Sequence, residues 1–331
     1  MTTVLVTGAT GAVGLAVVKA LDAAGFSVRA FASDAPEAGL LPEGVEVVLG
    51  DVTDAESVRA AVRGMDAVVH LAALVHQDAQ RPELRKEYQR INVGGTANVV
   101  EASLQARVER VVLFSTISVY GPTPGSVASE ETPPRPDTIY AETKLAAERI
   151  VLGAQGPRGE PFGTVLRLAA AYGPRVKGNY LRLVRALARR RFLPIGSGTN
   201  RRTLVFDRDA AQAAVLALRA PTAGGQIFNV SDGQVHTVAE IVSAICTALG
   251  RRPPRVRLPV FVARSLAGVV EGAAGAIRVR PPLSRAAVEK YVEDVAVDAS
   301  KITRELGFAP AFGLDVGWQT TIREMRRAGA L

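Results

Sequence analysis

The sequence predicts an α/β fold, a doubly wound parallel sheet followed by a smaller, mostly helical C-terminal part. Three observations carry this. Through the first half, short runs rich in β-branched residues alternate with helical patterns. The runs show little polar/apolar alternation, as parallel strands covered on both faces do. Beyond Pro174 helices dominate, and Arg and Pro become frequent. Strand–helix–strand repetition builds a parallel sheet with helices on both faces.

Taken in order, residues 3–6, 27–32, 45–49, 67–71 and 111–115 read as strands. Residues 13–24, 55–63 and 91–105 read as the helices between them, and a helix over 140–151 and a strand over 164–168 add one more unit. Residues 204–206, a helix from Asp209 and a strand over 226–230 read as a return to the sheet. The division is therefore interleaved: 1–174 with 203–231 form the sheet domain, and 175–202 with 232–331 the smaller one. Pro253-Pro254, Pro259 and Pro281-Pro282 punctuate the latter. Residues 260–277 are the most lipid-like stretch, but Arg264 and Glu271 interrupt it, and it falls short of the ~20 clean apolar residues a membrane span needs. It reads as a covering helix, with interfacial membrane contact as the alternative.

A chain of 331 residues, 48% hydrophobic and 22% charged, is long enough to bury a large core. Lys and Arg outnumber Asp and Glu by 40 to 32, for a formal charge of +8. The excess is mostly scattered Arg in the second half, with a cluster at Arg189, Arg190 and Arg191. No basic tail or aromatic array accompanies it, which argues against nucleic acid as partner. The single cysteine, Cys246, cannot form an internal disulfide and reads as a small core residue. His70, His76 and His236 lack metal-site spacing, so no metal is expected. Val4-Leu5-Val6 has no basic segment before it and is not a signal peptide, which points to the cytoplasm.

The first strand runs into Thr7-Gly8-Ala9-Thr10-Gly11-Ala12-Val13-Gly14 and then an apolar helix. Glycines at this spacing let backbone N–H groups approach a pyrophosphate, and a helix N-terminus adds partial positive charge there. A tight structural turn is the plainer reading. The position between the first strand and the first helix favours a dinucleotide site comprising Gly8, Gly11, Ala12, Val13 and Gly14. Asp51, followed by Val52, ends the third strand, where a carboxylate accepts the adenine amino group. His70-Leu71-Ala72-Ala73 ends the fourth, where small side chains let the cofactor lie close. The second strand ends Ala32-Ser33-Asp34, with neither a carboxylate at Ala32 nor an Arg at Ser33. Asp34, slightly displaced, favours NAD, with NADP as the alternative.

Tyr140 and Lys144 stand four residues apart in a helical pattern and share a face. A phenol titrates near 10 and is a poor base at neutral pH. An adjacent ammonium, with the positive charge of an oxidised nicotinamide, favours the phenolate. Such a pair also arises as a surface tyrosine beside a salt-bridging lysine. A third group decides between them: Thr116 ends the fifth strand in Phe114-Ser115-Thr116-Ile117-Ser118-Val119-Tyr120-Gly121, at the carboxyl edge where such sheets bind ligands.

The glycine loop, Asp51, Ile91-Asn92-Val93-Gly94-Gly95-Thr96, the Thr116 strand end, Tyr140/Lys144 and Tyr172-Gly173-Pro174 occur in this order. The chain thereby resembles, over nearly its whole length, the extended short-chain dehydrogenase/reductases. That family includes nucleotide-sugar epimerases, dehydratases and 3β-hydroxysteroid dehydrogenases. The resemblance implies a Rossmann-type domain with a helical substrate domain, Thr116 as substrate hydrogen-bonder, Tyr140 as acid or base, and Lys144 as ribose binder. It places Asn92 with the cofactor set and suggests a homodimer. Val176-Lys177-Gly178-Asn179-Tyr180 and Asn200-Arg201-Arg202-Thr203-Leu204-Val205 are similar to a bacterial surface-polysaccharide subgroup of 4-epimerases and 4-ketoreductases acting on UDP-hexoses.

For such a UDP-sugar, the resemblance suggests Asn179 beside the nucleotide and Arg202, with Arg201, on the pyrophosphate. A planar guanidinium grips two phosphate oxygens at once; a solvated basic stretch is the plainer reading. One departure stands out: many members carry an Asn about three residues after the Arg of the sixth strand, and here Arg167 is followed by Leu168, Ala169 and Ala170. A UDP-hexose 4-epimerase is the leading expectation. A net oxidoreductase acting on a 4-ketosugar or a hydroxysteroid follows, and a non-catalytic cofactor sensor comes last, since a sensor has no need of Tyr140. Family dehydratases place an acid and a base after the Thr. Ile117 and Ser118 stand there, so elimination, decarboxylation and C5 inversion are not expected.

Overall fold

The computed structural model describes residues 2–75, 82–156, 159–175, 177–276 and 284–331; His76, Val176, Pro281 and Pro282 lie outside them. The chain begins β1 (Thr3–Thr7), α1 (Gly14–Ala23), β2 (Ser27–Ala32), β3 (Glu46–Leu49), α2 (Ala55–Val62) and β4 (Ala67–His70). It continues through α3 (Pro82–Tyr88), a π-helical turn (Gln89–Gly94), α4 (Gly95–Gln105), β5 (Arg110–Thr116), a 3-10 turn (Ile117–Tyr120), α5 (Ile139–Gly153), β6 (Gly163–Leu168) and β7 (Ala170–Tyr172). There follow α6 (Gly178–Ala188), β8 (Arg201–Arg202), β9 (Leu204–Phe206), α7 (Asp207–Arg219), β10 (Ile227–Val230), β11 (His236–Thr237) and α8 (Val238–Leu249). The last helices are α9 (Val260–Ala276), α10 (Arg285–Val292), α11 (Ser300–Leu306) and α12 (Leu314–Arg327).

Seven strands form one parallel sheet in the order β3-β2-β1-β4-β5-β6-β10. The order reverses between β1 and β4, so the chain leaves their carboxyl ends in opposite directions and opens a crevice. Side chains alternate between two cores, as a period of two requires. Val4 and Val6 of β1 pack with α1 and α7 on one face, while Leu5 packs with α2, α4 and α5 on the other. α7 fits closely because its inner side is alanine: Ala210, Ala211, Ala213, Ala214 and Ala217 are fully buried.

Three expectations need correction. The strand at residues 45–49 is not covered on both faces. As β3 it is an edge, and Val47 and Leu49 are exposed. Residues 204–206 do not rejoin the main sheet. The chain leaves that sheet at Ala169, whose N–H still bonds Val230 O (2.9 Å), and β9 instead pairs with β7 in a separate two-stranded sheet. Only β10 returns, beside β6. The helix expected over 91–105 is π-helical through Gly94 and α-helical only from Gly95, a widening that often accompanies functional sites.

A third core joins α6, α8 and α12 around Trp318, which stacks on Tyr172 at 4.6 Å between centroids. Cys246 is buried there. Among the described side chains, the apolar helix at 260–276 covers the protein mainly with alanines, joined by Val260 at its start. Ala263 and Ala267 pack on Val288 of α10, while Phe261 and Val269 are each 71% exposed. Among the described residues no helix is long and apolar enough to cross a membrane, and no group of three or more metal-ligating side chains forms.

Candidate active site

The glycine loop closes tightly over the end of β1. Gly8 has φ +68°, and a Cβ there would stand 2.8 Å from Ala72 N. A Cβ at Gly14 would collide with Gly8 O, so α1 can begin only where glycine lets the loop fold under it. The first N–H groups of α1, around Ala12, Val13 and Gly14, have no intrahelical acceptor, as at any helix N-terminus, and so are available to an anion. Leu71, Ala72 and Ala73 run beside this loop from β4. This cradle suits a dinucleotide pyrophosphate.

A buried chain of hydrogen bonds welds the crevice. Ala72 N–H donates to Thr7 Oγ1 (3.2 Å), which lies 2.6 Å from His70 Nδ1. His70 Nε2 is 3.0 Å from Thr96 Oγ1, which itself donates to Asn92 O. With that hydroxyl hydrogen committed, Nε2 carries the imidazole proton and Nδ1 accepts from Thr7. Burial, with Lys144 nearby, lowers the His70 pKa to about 3, so the ring is neutral. Asn92 is also buried. Its amide accepts from Leu74 N–H (2.7 Å) and donates to Leu74 O and Thr143 Oγ1, so it holds the loop after β4 against α5. Its whole amide is used by the protein, which gives it a supporting place behind the crevice.

The other expected cofactor residues sit at strand ends. Asp51 is exposed and accepts Thr53 N–H (2.8 Å) in a tight turn. Val52 is buried against Gly95, where a Cβ would stand 2.9 Å from Val52 Cγ2. Asp34 is exposed past β2 and accepts the Ser33 hydroxyl (2.8 Å).

Thr116 ends β5 with its Oγ1 accepting Ser118 N–H at 3.1 Å and donating to Ser118 Oγ at 3.1 Å. α5 packs against both β5 and the 3-10 turn that follows, so Tyr140 and Lys144 run along the edge Thr116 ends. The Thr138 hydroxyl caps α5 by accepting Ala141 N–H (3.2 Å), fixing where Tyr140 starts. Tyr88 meets Tyr140 edge-on at 6.4 Å. Burial, and then Tyr88, push the Tyr140 phenol above its ordinary pKa, while burial pulls Lys144 down to about 8 against the pull of Glu148. The phenol is thus protonated at neutral pH until a further positive charge arrives.

The expected substrate residues lie in the C-terminal half and are already engaged. Arg202 donates to the carbonyls of Lys290 (2.7 Å) and Glu293, capping the end of α10. Arg201 donates to Ser126 O (2.9 Å) and lies 3.6 Å from Asp294 Oδ2. Asn179 is exposed on α6 and accepts from Arg182 (2.8 Å). An open cleft lies nearby, though none of Thr116, Tyr140, Lys144, Asn179, Arg201 or Arg202 lines it. It is lined by Pro122 and Pro124, just beyond the Thr116 turn, by the Gly196–Asn200 loop, and by Glu293 and Asp294.

A family model described as NAD dependent epimerase/dehydratase matches residues 4–231. The chain belongs to the NAD-dependent epimerase/dehydratase family, extended short-chain dehydrogenase/reductases whose cofactor is NAD. It is 28% identical to UDP-glucose 4-epimerase of Vibrio cholerae, over 98% of this chain and 96% of that one. It is 29% identical to 3-beta-hydroxysteroid dehydrogenase of Mycolicibacterium neoaurum, over 93% and 87%. The solved structure of MoeE5 in complex with UDP-glucuronic acid and NAD superimposes with a TM-score of 0.77, at 30% identity over 98% and 99%.

Within this family member, one buried pair beneath the tyrosine and lysine escaped the sequence reading. Glu148 follows Lys144 by four residues and Tyr140 by eight. Arg167 of β6 grips it with Nη2 (2.6 Å) and Nε (3.1 and 3.2 Å), and Ser115 Oγ donates to it as well. Arg167 also stacks over Tyr120 at 4.8 Å, and Tyr120 donates to Asn229 Oδ1 (2.8 Å). The i, i+4, i+8 stripe of Tyr140, Lys144 and Glu148 was the available signal. The partner strand was not readable without the sheet order.

Proposed function

We propose that the chain carries out reversible hydride transfer at a single alcohol carbon, and that its substrate is a UDP-hexose epimerised at C4. The observation that carries the single-carbon chemistry is the Thr116 turn, where Ile117 and Ser118 occupy the next two positions and the Ser118 hydroxyl is bonded to Thr116. Neither can serve as the second acid or base that elimination or C5 inversion needs. When bound, oxidised NAD would supply a reversible hydride acceptor for the alcohol carbon. Tyr140 removes the hydroxyl proton, Lys144 holds the ribose and favours the phenolate, and Thr116 hydrogen-bonds the reacting oxygen. The sugar nucleotide is supported by relatives that act on or bind UDP-sugars by name. We place the enzyme in the cytoplasm as a homodimer.

A second reading has its own support. Arg201 and Arg202 are hydrogen-bonded to the chain's own carbonyls, and Ala170 stands where an Asn is common. A pocket with fewer free phosphate donors suits net oxidation of an apolar alcohol, as the name of the Mycolicibacterium relative implies for that protein. Incubation with UDP-glucose, UDP-galactose and their N-acetyl forms, without added nicotinamide, separates the two. Epimer formation, with NAD released on denaturing the purified protein, is the expected result. Turnover only with added cofactor and a steroid alcohol establishes the second reading instead. Run in deuterated water, the predicted reaction leaves ring carbons unlabelled, and deuterium at C5 or C6 would refute it.

A further inference from the structure

The net charge of +8 is not spread evenly. Residues 175–206 and 241–270 hold fourteen of the 40 basic residues and none of the 32 acidic ones, so these two stretches carry +14 and the rest of the chain is net −6. The fold brings them side by side. Gly196 N–H donates to Leu258 O and Leu258 N–H to Pro194 O, both at 2.8 Å, with Ile195 bridged to Leu258. The exposed arginines Arg189, Arg190 and Arg191 therefore precede one of two adjoining segments, and Arg252, Arg255 and Arg257 lie on the other. Among the described residues none of these six forms an ion pair.

α9 continues from the second segment with its polarity reversed. Ala263, Ala267 and Ala274 are buried among its described side chains. Its two charges lie on the flank toward α10, where Arg264 pairs with Glu289 (2.6 Å) and Glu271 accepts Arg285 N–H (2.9 Å). The remaining arc, from Phe261 through Ser265 and Val269 to Leu266, spans roughly 140° at 100° per residue and carries no charge. Phe261 and Val269 are each 71% exposed and Leu266 48%, with Val256 (72%) and Leu193 (47%) exposed on the adjoining segments. Large apolar side chains thus face out while alanines face in, beside an arginine-rich surface, with the carboxylates Glu271 and Glu289 confined to the flank toward α10. Val260, the first residue of α9, also lines the cleft that holds Pro122 and Pro124.

We propose that this face seats on an anionic lipid bilayer, with α9 lying in the interface and the unpaired arginines on lipid phosphates. An uncharged arc beside cations suits a surface that is apolar below and negative above. Neither duplex nucleic acid nor a +8 copy of the same chain offers both. The proposal holds for either substrate of the preceding section.

Cosedimentation of the full chain with vesicles tests it. Binding is expected to phosphatidylglycerol–phosphatidylcholine vesicles and not to phosphatidylcholine alone, weakening as salt rises. Phe261→Asp with Val269→Asp is expected to lower the bound fraction about tenfold. Arg255→Glu with Arg257→Glu, on an extended exposed segment, is expected to do the same, with NAD binding retained as the measure of folding. No binding to anionic vesicles overturns the proposal, as does binding unchanged in both variants. Duplex DNA binding lost in the arginine variant, or a larger oligomer dissociated by the α9 variant, in either case without vesicle binding, assigns the face elsewhere and also overturns it.

Discussion

Burial moves Tyr140 and Lys144 in opposite directions. The phenol is raised and the ammonium is lowered to about 8, so each is nearer its neutral form than in water. Both shifts oppose a resting phenolate. On the proposed mechanism, bound cationic nicotinamide would supply the positive charge that favours the phenolate, and proton removal would be confined to the loaded enzyme. Glu148 sits one turn further along α5, held by Arg167, and raises the Lys144 pKa by less than burial lowers it. Tyr140→Phe removes the acid–base oxygen while keeping the ring packed against Tyr88. Turnover is expected to fall by about 10²–10⁴ with NAD affinity within a fewfold, as fluorescence titration would measure. An unchanged turnover rate would remove Tyr140 from the chemistry.

At the scale of elements, Arg202 separates two roles. Its hydrogen bonds to the Lys290 and Glu293 carbonyls cap α10. Arg202→Ala is expected to lower stability by about 1–3 kcal/mol, seen as a lower melting temperature without substrate. A variant with unaltered melting but weakened UDP-sugar binding would return Arg202 to the pyrophosphate. The same contrast marks what the sequence makes legible. Strands β1, β4, β5 and β6 were readable because both faces are buried, and every residue reports that environment. β3 carries a similar composition, Val47-Val48-Leu49, yet lies at an edge, because composition does not say how many neighbours a strand has. Neither the pairing of β9 with β7 apart from the main sheet nor the π-helical turn is marked by local composition. The glycine loop, Thr116, Tyr140 and Lys144 could be singled out from the sequence because short spacings and their order along the chain mark them, and the fold sets the loop at the end of β1 and Thr116 at the end of β5. The bonding of Arg201, Arg202 and Asn92 was not, since their partners lie 18 to 93 residues away.

At the scale of the whole molecule, the crevice depends on one neutral imidazole. His70 links β1 to α4 across the reversal in strand order, and it refuses a proton until about pH 3. The unfolded chain accepts that proton near 6.5. Above 6.5 both states are neutral and His70 contributes no pH dependence. As pH falls from 6.5 toward 3 the unfolded state alone binds the proton, so stability is lost at about 1.4 kcal/mol per pH unit. Asp207 acts oppositely. Burial raises its carboxyl to about 6, so the folded state keeps a proton the unfolded one releases, and stability rises as pH falls from about 6 to 4. The two slopes partly cancel in the wild type, which is why a variant is needed to expose either one. His70→Asn removes the first. Whatever it costs at pH 7.5, the gap in unfolding free energy between wild type and variant is expected to shift in the variant's favour by about 3 kcal/mol between pH 6.5 and 4, in urea denaturation at each pH. A gap that stays constant over that window would mean that His70 takes up a proton in the folded protein, and that Thr7 and Thr96 are not held by a neutral ring.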